Sequence, residues 1–300
     1  MKRALLSCVA LSSSLFATTT APPAAACAAC GCGDPTLTTL GAEQPYAGRL
    51  RASLMAQLRS DDVGTPREDQ LKLRELRFDA SLAWAPHERL FLVATIPTLL
   101  RSVEYVNLAK ETSFGLGDAE LRAKGFIYRD RPFSPNHLVS LTAGIKLPTA
   151  PRQNDQNGEP LPLELQPGTG SFDPLAGASY AFFAYPWSAY ASAQLAWPTG
   201  DGNGNRGSRS LRSTLAGQRQ LTDVIALRVG ADTRYDGKTI EEGSESPDSG
   251  GFIGFVLAEA LVTPAPDVLL LASARLPVVN ALDGDHEEGP FWSLGVAYDF

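Results

Sequence analysis

The sequence predicts an all-β fold, a transmembrane antiparallel β-barrel of twelve strands, on three observations. First, the last segment alternates Trp292, Leu294, Val296, Tyr298 and Phe300 with Ser293, Gly295, Ala297 and Asp299. A period of two sends alternate side chains to opposite faces of a strand. An apolar face edged by aromatics and backed by a small, polar face suits a strand with lipid outside and polar groups inside. Second, twelve segments of roughly ten to seventeen residues can be drawn along the chain, the length and even number of such barrels. Third, the connections alternate in character: short after even strands, mostly longer and polar after odd ones. A soluble sandwich gives no reason for that alternation, whereas short periplasmic turns and longer extracellular loops do.

The expected strands are 46–59, 70–84, 89–105, 111–128, 136–148, 168–183, 187–197, 208–219, 223–236, 250–263, 267–278 and 289–300. In the first, Leu50, Ala52, Leu54, Ala56 and Leu58 oppose Arg49, Arg51, Ser53, Gln57 and Arg59. In the second the phase breaks near Arg74 and Glu75, which reads as a bulge. The third contains Pro97, which removes a ladder donor and weakens the assignment. The fourth opens on Gly115 and Gly117, a glycine pair that marks a kink near a rim. The fifth sets Val139, Leu141, Ala143, Ile145 and Leu147 against Ser140, Thr142 and Lys146. The ninth sets Ile225, Leu227, Val229 and Ala231 against Arg228, Asp232 and Arg234. The short connections include Ala85-Pro86-His87-Glu88, Asp130-Arg131-Pro132, Ala184-Tyr185-Pro186, Leu221-Thr222 and Pro264-Ala265-Pro266. The long ones are 60–69, 149–167, 198–207, 237–249 and 279–288.

Ahead of the barrel, Lys2 and Arg3, an apolar stretch from Ala4 to Phe16 and the small residues Ala24-Ala25-Ala26 read as a secretory signal over 1–26. Residues 27–45 then form a periplasmic tail, and 46–300 the barrel. The hydrophobic fraction of 44% includes no apolar run near the ~20 residues that a spanning helix needs. A net charge of -7 without a basic cluster argues against nucleic acid. The expected address is the outer membrane of a Gram-negative bacterium, among its lipid and lipopolysaccharide. The aromatic carboxy-terminal residue serves as the signal to the barrel-assembly machinery.

A charge within the outer apolar band costs up to ~2–4 kcal/mol at the midplane, so strand charges are expected to face the lumen. This gives a mixed-charge lining of Arg49, Arg51, Arg77, Asp118, Glu120, Arg122, Lys124, Lys146, Arg212, Arg228, Asp232, Arg234, Glu259 and Arg275. Such a lining is either a polar channel with a basic excess that favours anionic or polar solutes, or a plug of mutually satisfied ion pairs. Twelve strands lie between tightly filled small barrels and open porins.

Three stretches carry a further signal: Gly115-Leu116-Gly117-Asp118 with Leu121 and Lys124, Gly144-Ile145-Lys146-Leu147-Pro148-Thr149, and Gly168-Thr169-Gly170-Ser171-Phe172-Asp173. In that order they resemble the outer-membrane family named for the MetA-pathway of phenol degradation, although Ala150 replaces the last Gly of its second motif. The resemblance spans roughly residues 70–300 and implies a transporter-like barrel that passes aromatic or other small organic molecules.

The tail contains Cys27, Cys30 and Cys32 in C-x2-C-x-C spacing. Thiolates so spaced can converge on Cu(I) or Zn(II). A disulfide with one thiol left over, or lipidation of Cys27, are the alternatives. No other cofactor is implied. Among three histidines only His286 reaches the exterior, in an acidic run and without a nucleophile motif, so no enzyme is expected. Acidic loops, and Asp201-Gly202-Asn203-Gly204-Asn205 without the Glu that closes a calcium loop, read as solvated surface. The expected function is passive passage of small polar or aromatic solutes. The alternative is a closed barrel whose tail captures a soft metal or docks a partner.

Overall fold

The computed structural model describes residues 47–300, apart from 66, 67, 69, 133, 155–157, 159, 160, 162–164, 201–203, 242 and 248. The expected signal segment and the cysteine tail with Cys27, Cys30 and Cys32 lie outside the described residues.

The strands are β1 (Leu50–Val63), β2 (Leu71–His87), β3 (Leu90–Tyr105), β4 (Lys110–Leu116 continued by Glu120–Arg129), β5 (His137–Lys146) and β6 (Asp173–Ala184). Then follow β7 (Trp187–Ala196), β8 (Ser210–Gln220), β9 (Ile225–Asp236), β10 (Gly251–Ala265), β11 (Val268–Leu282) and β12 (His286–Glu288 continued by Phe291–Asp299). Each pairs antiparallel with its sequence neighbours. β12 pairs with β1 from Arg51↔Asp299 to Leu58↔Trp292 and again from Asp61↔Glu288 to Val63↔His286, which closes a twelve-stranded barrel with no free edge. Closure leaves no strand at an edge, as a wall facing hydrocarbon requires.

Alternation decides which side faces lipid. Leu54, Leu58, Leu82, Leu121, Leu141, Leu215, Val229, Leu294 and Val296 are exposed on the outer face. Their inward neighbours include Arg51, Ser53, Asp79, Ser140, Thr214, Asp232 and Ser293, all buried. Aromatics edge the apolar band at both ends. Trp84, Tyr128, Tyr180, Trp187 and Tyr298 lie near the rim of short turns, and Phe114, Trp197, Tyr235, Phe252 and Trp292 toward the rim of loops. Arg219 stacks over Trp187 at the turn rim and Arg209 over Trp197 at the loop rim, 3.7 Å from the ring centroid in the second case. This is the architecture of an outer-membrane barrel. Leu294, 66% exposed between Trp292 and Tyr298, sits mid-band. Leu294→Arg is expected to destabilise the inserted barrel by about 2–4 kcal/mol in equilibrium unfolding from lipid vesicles. No change would count against this face as the lipid face.

Several expectations need correction. No bulge occurs at Arg74 and Glu75: β1–β2 pairing runs unbroken from Leu50↔Trp84 to Val63↔Leu71. Lys72 and Arg74 keep the outward phase and lie toward the loop rim, where the apolar band has ended, so the apparent phase break is a change of environment. The register shifts fall elsewhere, near Trp84/His87, Phe126/Tyr128, Gly254/Phe255 and Val262/Ala265. The sixth strand begins at Asp173, leaving 168–172 in the preceding loop. The expected loop 279–288 is mostly strand, because β11 pairs on with β10 to Gly251↔Leu282 and β12 with β1 from Asp61↔Glu288 to Val63↔His286. The kink at the glycine pair is not at a rim. β4 breaks at 117–119, mid-strand, and there its inward parity moves from Ser113 and Gly115 to Glu120, Arg122 and Lys124. β3 stays continuous through Pro97, which stands where the β3–β4 ladder skips two residues: Thr98 pairs with Leu116 and Thr95 with Glu120. The missing N–H falls at the break, and the Gly117 N–H donates to the Pro97 carbonyl at 2.8 Å. At the turn rim, Asp130 accepts the His137 N–H at 2.9 Å, and that bond holds its carboxyl below the usual range.

Candidate functional site

All fourteen charged residues expected in the lumen lie on inward-facing strand positions or at their ends. They do not form one uniform lining. At the turn rim Arg49 and Arg51 both grip Asp299, Arg49 by two bonds of 2.9 Å. Deeper in, Arg228 donates to Glu259 at 2.5 Å and to Gln218 at 3.0 Å, with side chains only 3% and 1% exposed for the ion pair. Arg275 reaches Asp232 at 3.3 Å. Arg234 pairs with Asp236 at 2.5 Å and with Glu288, and Arg122 pairs with Glu120. Lys124 stands over the Phe126 ring. Arg77 and Arg212, from β2 and β8, both lie within electrostatic range of Arg122 on β4, so three guanidinium groups gather at the waist beside Asp79, Glu120 and Asp232.

The turn-side half of the lumen also holds two buried apolar clusters among these ion pairs, which strand charge patterning alone did not indicate. Ala83, Ala85, Phe91, Val93, Phe126, Leu138, Ala181, Tyr190, Ala216 and Leu257 are buried in one cluster. A second cluster joins Ala226, Leu261, Leu269, Leu271 and Ala297, with Met55 against it. β3 explains why these were hard to see. Its inward Phe91, Val93, Leu99 and Val103 and its outward Leu92, Ala94, Ile96 and Leu100 are alike apolar.

The described parts of the loop between β5 and β6, residues 147–154 and 165–172, fold back against the inner wall. The three motif stretches meet there. Asp118, 4% exposed, accepts the Thr169 N–H at 2.7 Å, the Ala150 N–H at 3.1 Å and the Thr169 hydroxyl at 3.2 Å. Lys146 pairs with Asp173 and donates to Thr169 Oγ1 at 2.9 Å. Ser171 Oγ donates to Asp173 at 2.5 Å, and Thr149 Oγ1 accepts the Ala119 N–H at 2.8 Å. Further along, the Ser113 hydroxyl donates to the Leu165 carbonyl, Gln153 Nε2 to the Phe114 carbonyl, and Arg101 to the Gln166 carbonyl. Arg101 itself is braced by Glu75 at 2.6 Å. The break in β4 makes this possible, since the unpaired stretch 117–119 frees Asp118 to receive backbone donors from the loop. Gly168 is required by the close approach: a Cβ there would lie 2.4 Å from Asp118 Oδ1. The motif residues therefore anchor a loop, which buried hydrogen-bond demand explains without a ligand.

Above this anchor is a cavity of about 290 Å3. Its walls come from β2, β3 and β4 (Arg77, Thr95, Pro97, Leu99, Arg101, Asp118, Glu120), from Lys146 and the anchored 166–169, and from the loop-rim residues Asn205, Arg206, Gly207, Thr239 and Ile240. Four of the expected lumen residues, Arg77, Asp118, Glu120 and Lys146, meet here. Arg101 and Arg206 were missed, the first because β3 shows no alternation and the second because it lies in a loop. His286 sits at the loop rim, paired with Val63 of β1. Among the described residues no group of three His, Cys, Asp or Glu side chains is placed to hold a metal ion.

No protein-family model and no curated protein matches the chain, so the motif resemblance rests on its three stretches. Solved structures do share the fold. An outer-membrane channel from Pseudomonas putida F1 superposes with a TM-score of 0.66 at 16% identity, over 86% of this chain and 98% of that one. The transport unit of the autotransporter AIDA-I from Escherichia coli gives 0.52 at 8% identity, over 84% and 90%. The translocator domain of the autotransporter NalP from Neisseria meningitidis gives 0.50 at 13% identity, over 87% and 91%. At these identities the likeness is one of fold: this chain is built as an outer-membrane β-barrel.

Proposed function

We propose that this barrel is an outer-membrane channel for passive passage of small polar or aromatic solutes, with its turn rim and amino-terminal tail in the periplasm and its loop rim outside. The observation that carries the reading is the cavity of about 290 Å3 inside the barrel at the loop side, which joins basic side chains to the apolar Pro97, Leu99 and Ile240. A solute would enter from the loops, meet the arginine-rich waist of Arg77, Arg122 and Arg212, and leave past the apolar clusters near the turn rim. The motif resemblance, and a fold shared with a protein known as an outer-membrane channel, agree with it.

The rival reading is a closed barrel whose Cys27, Cys30 and Cys32 bind Cu or Zn or dock a partner. The burial of Phe91, Phe126 and Leu257 in the lumen favours it, because a turn-side half so filled passes nothing until side chains move. Single-channel recording of the refolded protein in a planar bilayer separates the two. Discrete ion-selective steps are expected, and silence from folded, inserted protein would overturn the channel reading.

A further inference from the structure

We propose that the cavity is a binding site for a small organic monoanion, a carboxylate on a compact apolar body, with Arg206 as its anchoring cation. The inference deepens the channel reading and takes the cavity as the place where the solute first binds. Every other charge in the cavity wall already has a partner. Arg77 donates to Asp79 at 2.7 Å, Arg101 to Glu75 at 2.6 Å, and Lys146 pairs with Asp173. Asp118 accepts the loop's backbone donors, and Glu120 pairs with Arg122. Arg206 differs: it lines the cavity with no carboxylate paired to it among the described residues, and its Nε, closed off from solvent, has no hydrogen-bond partner. A guanidinium with no counter-charge among the described residues, lining a cavity, is the group that an entering anion would meet.

The position of Arg206 is set in advance. Its N–H donates to the Ile240 carbonyl and its carbonyl accepts the Ile240 N–H, both at 2.9 Å, while Gly243 N–H donates to Gly204 at 3.0 Å. These bonds bridge two long loops, so the guanidinium is presented from a fixed backbone. Its fork matches the two oxygens of a carboxylate, which can accept from adjacent donors at once. Pro97, Leu99, Pro167 and Ile240 give the remainder of the ligand an apolar surface. The volume lies at the bottom of the range for small-molecule sites, which selects a body of about one ring. Asp118 and Glu120 in the same wall disfavour a second negative charge on the ligand.

The test uses benzoate as the probe and benzamide as its neutral isostere, titrated calorimetrically into the full chain folded in detergent micelles. Benzoate is expected to bind roughly 10- to 100-fold tighter than benzamide, the range of one charge-assisted contact. Arg206→Gln should erase that preference, and Arg206→Lys should keep part of it, which separates charge from any loss of fold. Equal binding of the two probes, no binding of either, or a preference that survives Arg206→Gln would overturn the proposal. Bilayer recording of the same preparation keeps the two readings apart. An Arg206-dependent preference without conductance upholds the site and removes the channel, whereas conductance without the preference removes the site and leaves the channel.

Discussion

Asp118→Ala is expected to destabilise the barrel by about 3–5 kcal/mol, the range for removing one partner of a buried charged network. Asp118 satisfies the backbone N–H groups of both Ala150 and Thr169, two points of the same loop. With the carboxylate gone, both donors and Lys146 lose an acceptor, although Lys146 keeps Asp173. The loss should concentrate in the loop 147–172 rather than in the strands, because the β5–β6 ladder from His137↔Phe182 to Lys146↔Asp173 does not depend on it. Urea unfolding in detergent would read the total. Limited proteolysis should show faster cleavage within 147–172, and a channel should show a larger, noisier conductance as the loop leaves the wall. Asp118→Asn keeps the shape but turns one acceptor into a donor facing the Thr169 N–H, so its effect should approach that of alanine. A loop that stays protected in both variants would mean that Ser113, Gln153 and Arg101 hold it without Asp118.

Glu259→Ala should be comparably damaging, again about 3–5 kcal/mol, since it leaves Arg228 charged and buried with only Gln218. The double replacement Arg228→Leu with Glu259→Leu should recover most of that loss, because apolar pairs of similar volume often match buried ion pairs in stability. The neighbouring Leu257 and Leu261 are already fully buried on the same face of β10, so added leucines would join existing apolar packing. A double variant as unstable as the single one would overturn this account. The pair also bears on selectivity. Arg228 and Glu259 cancel, so removing both should leave anion preference unchanged, whereas Arg212→Gln should reduce it through the waist shared with Arg77 and Arg122.

The sequence by itself determined the wall. Alternation in strands such as Leu50 to Leu58 and Phe291 to Phe300 can be satisfied only by lipid on one side and polar groups on the other. The turns at Pro86, Pro132 and Pro186 set the strand order, because antiparallel neighbours joined by short turns leave little freedom. Strand-charge placement was legible for the same reason: a charge on the lipid face has no partner there. The interior was not legible. β3 is apolar on both faces from Leu90 to Ala94, so only the distant parity of Thr95 and Arg101 distinguishes Phe91 inside from Leu92 outside, and only closure of the barrel packs the first among Phe126, Leu138 and Ala181. The three glycine-bearing motifs were visible as stretches, but their shared purpose depends on bringing Asp118, Lys146 and Thr169 together from β4, β5 and the loop that follows. Arg206 carries no local signal at all. Its place in the cavity wall exists because two distant loops bridge there through Arg206 and Ile240, and such proximity between remote segments is decided by tertiary structure alone.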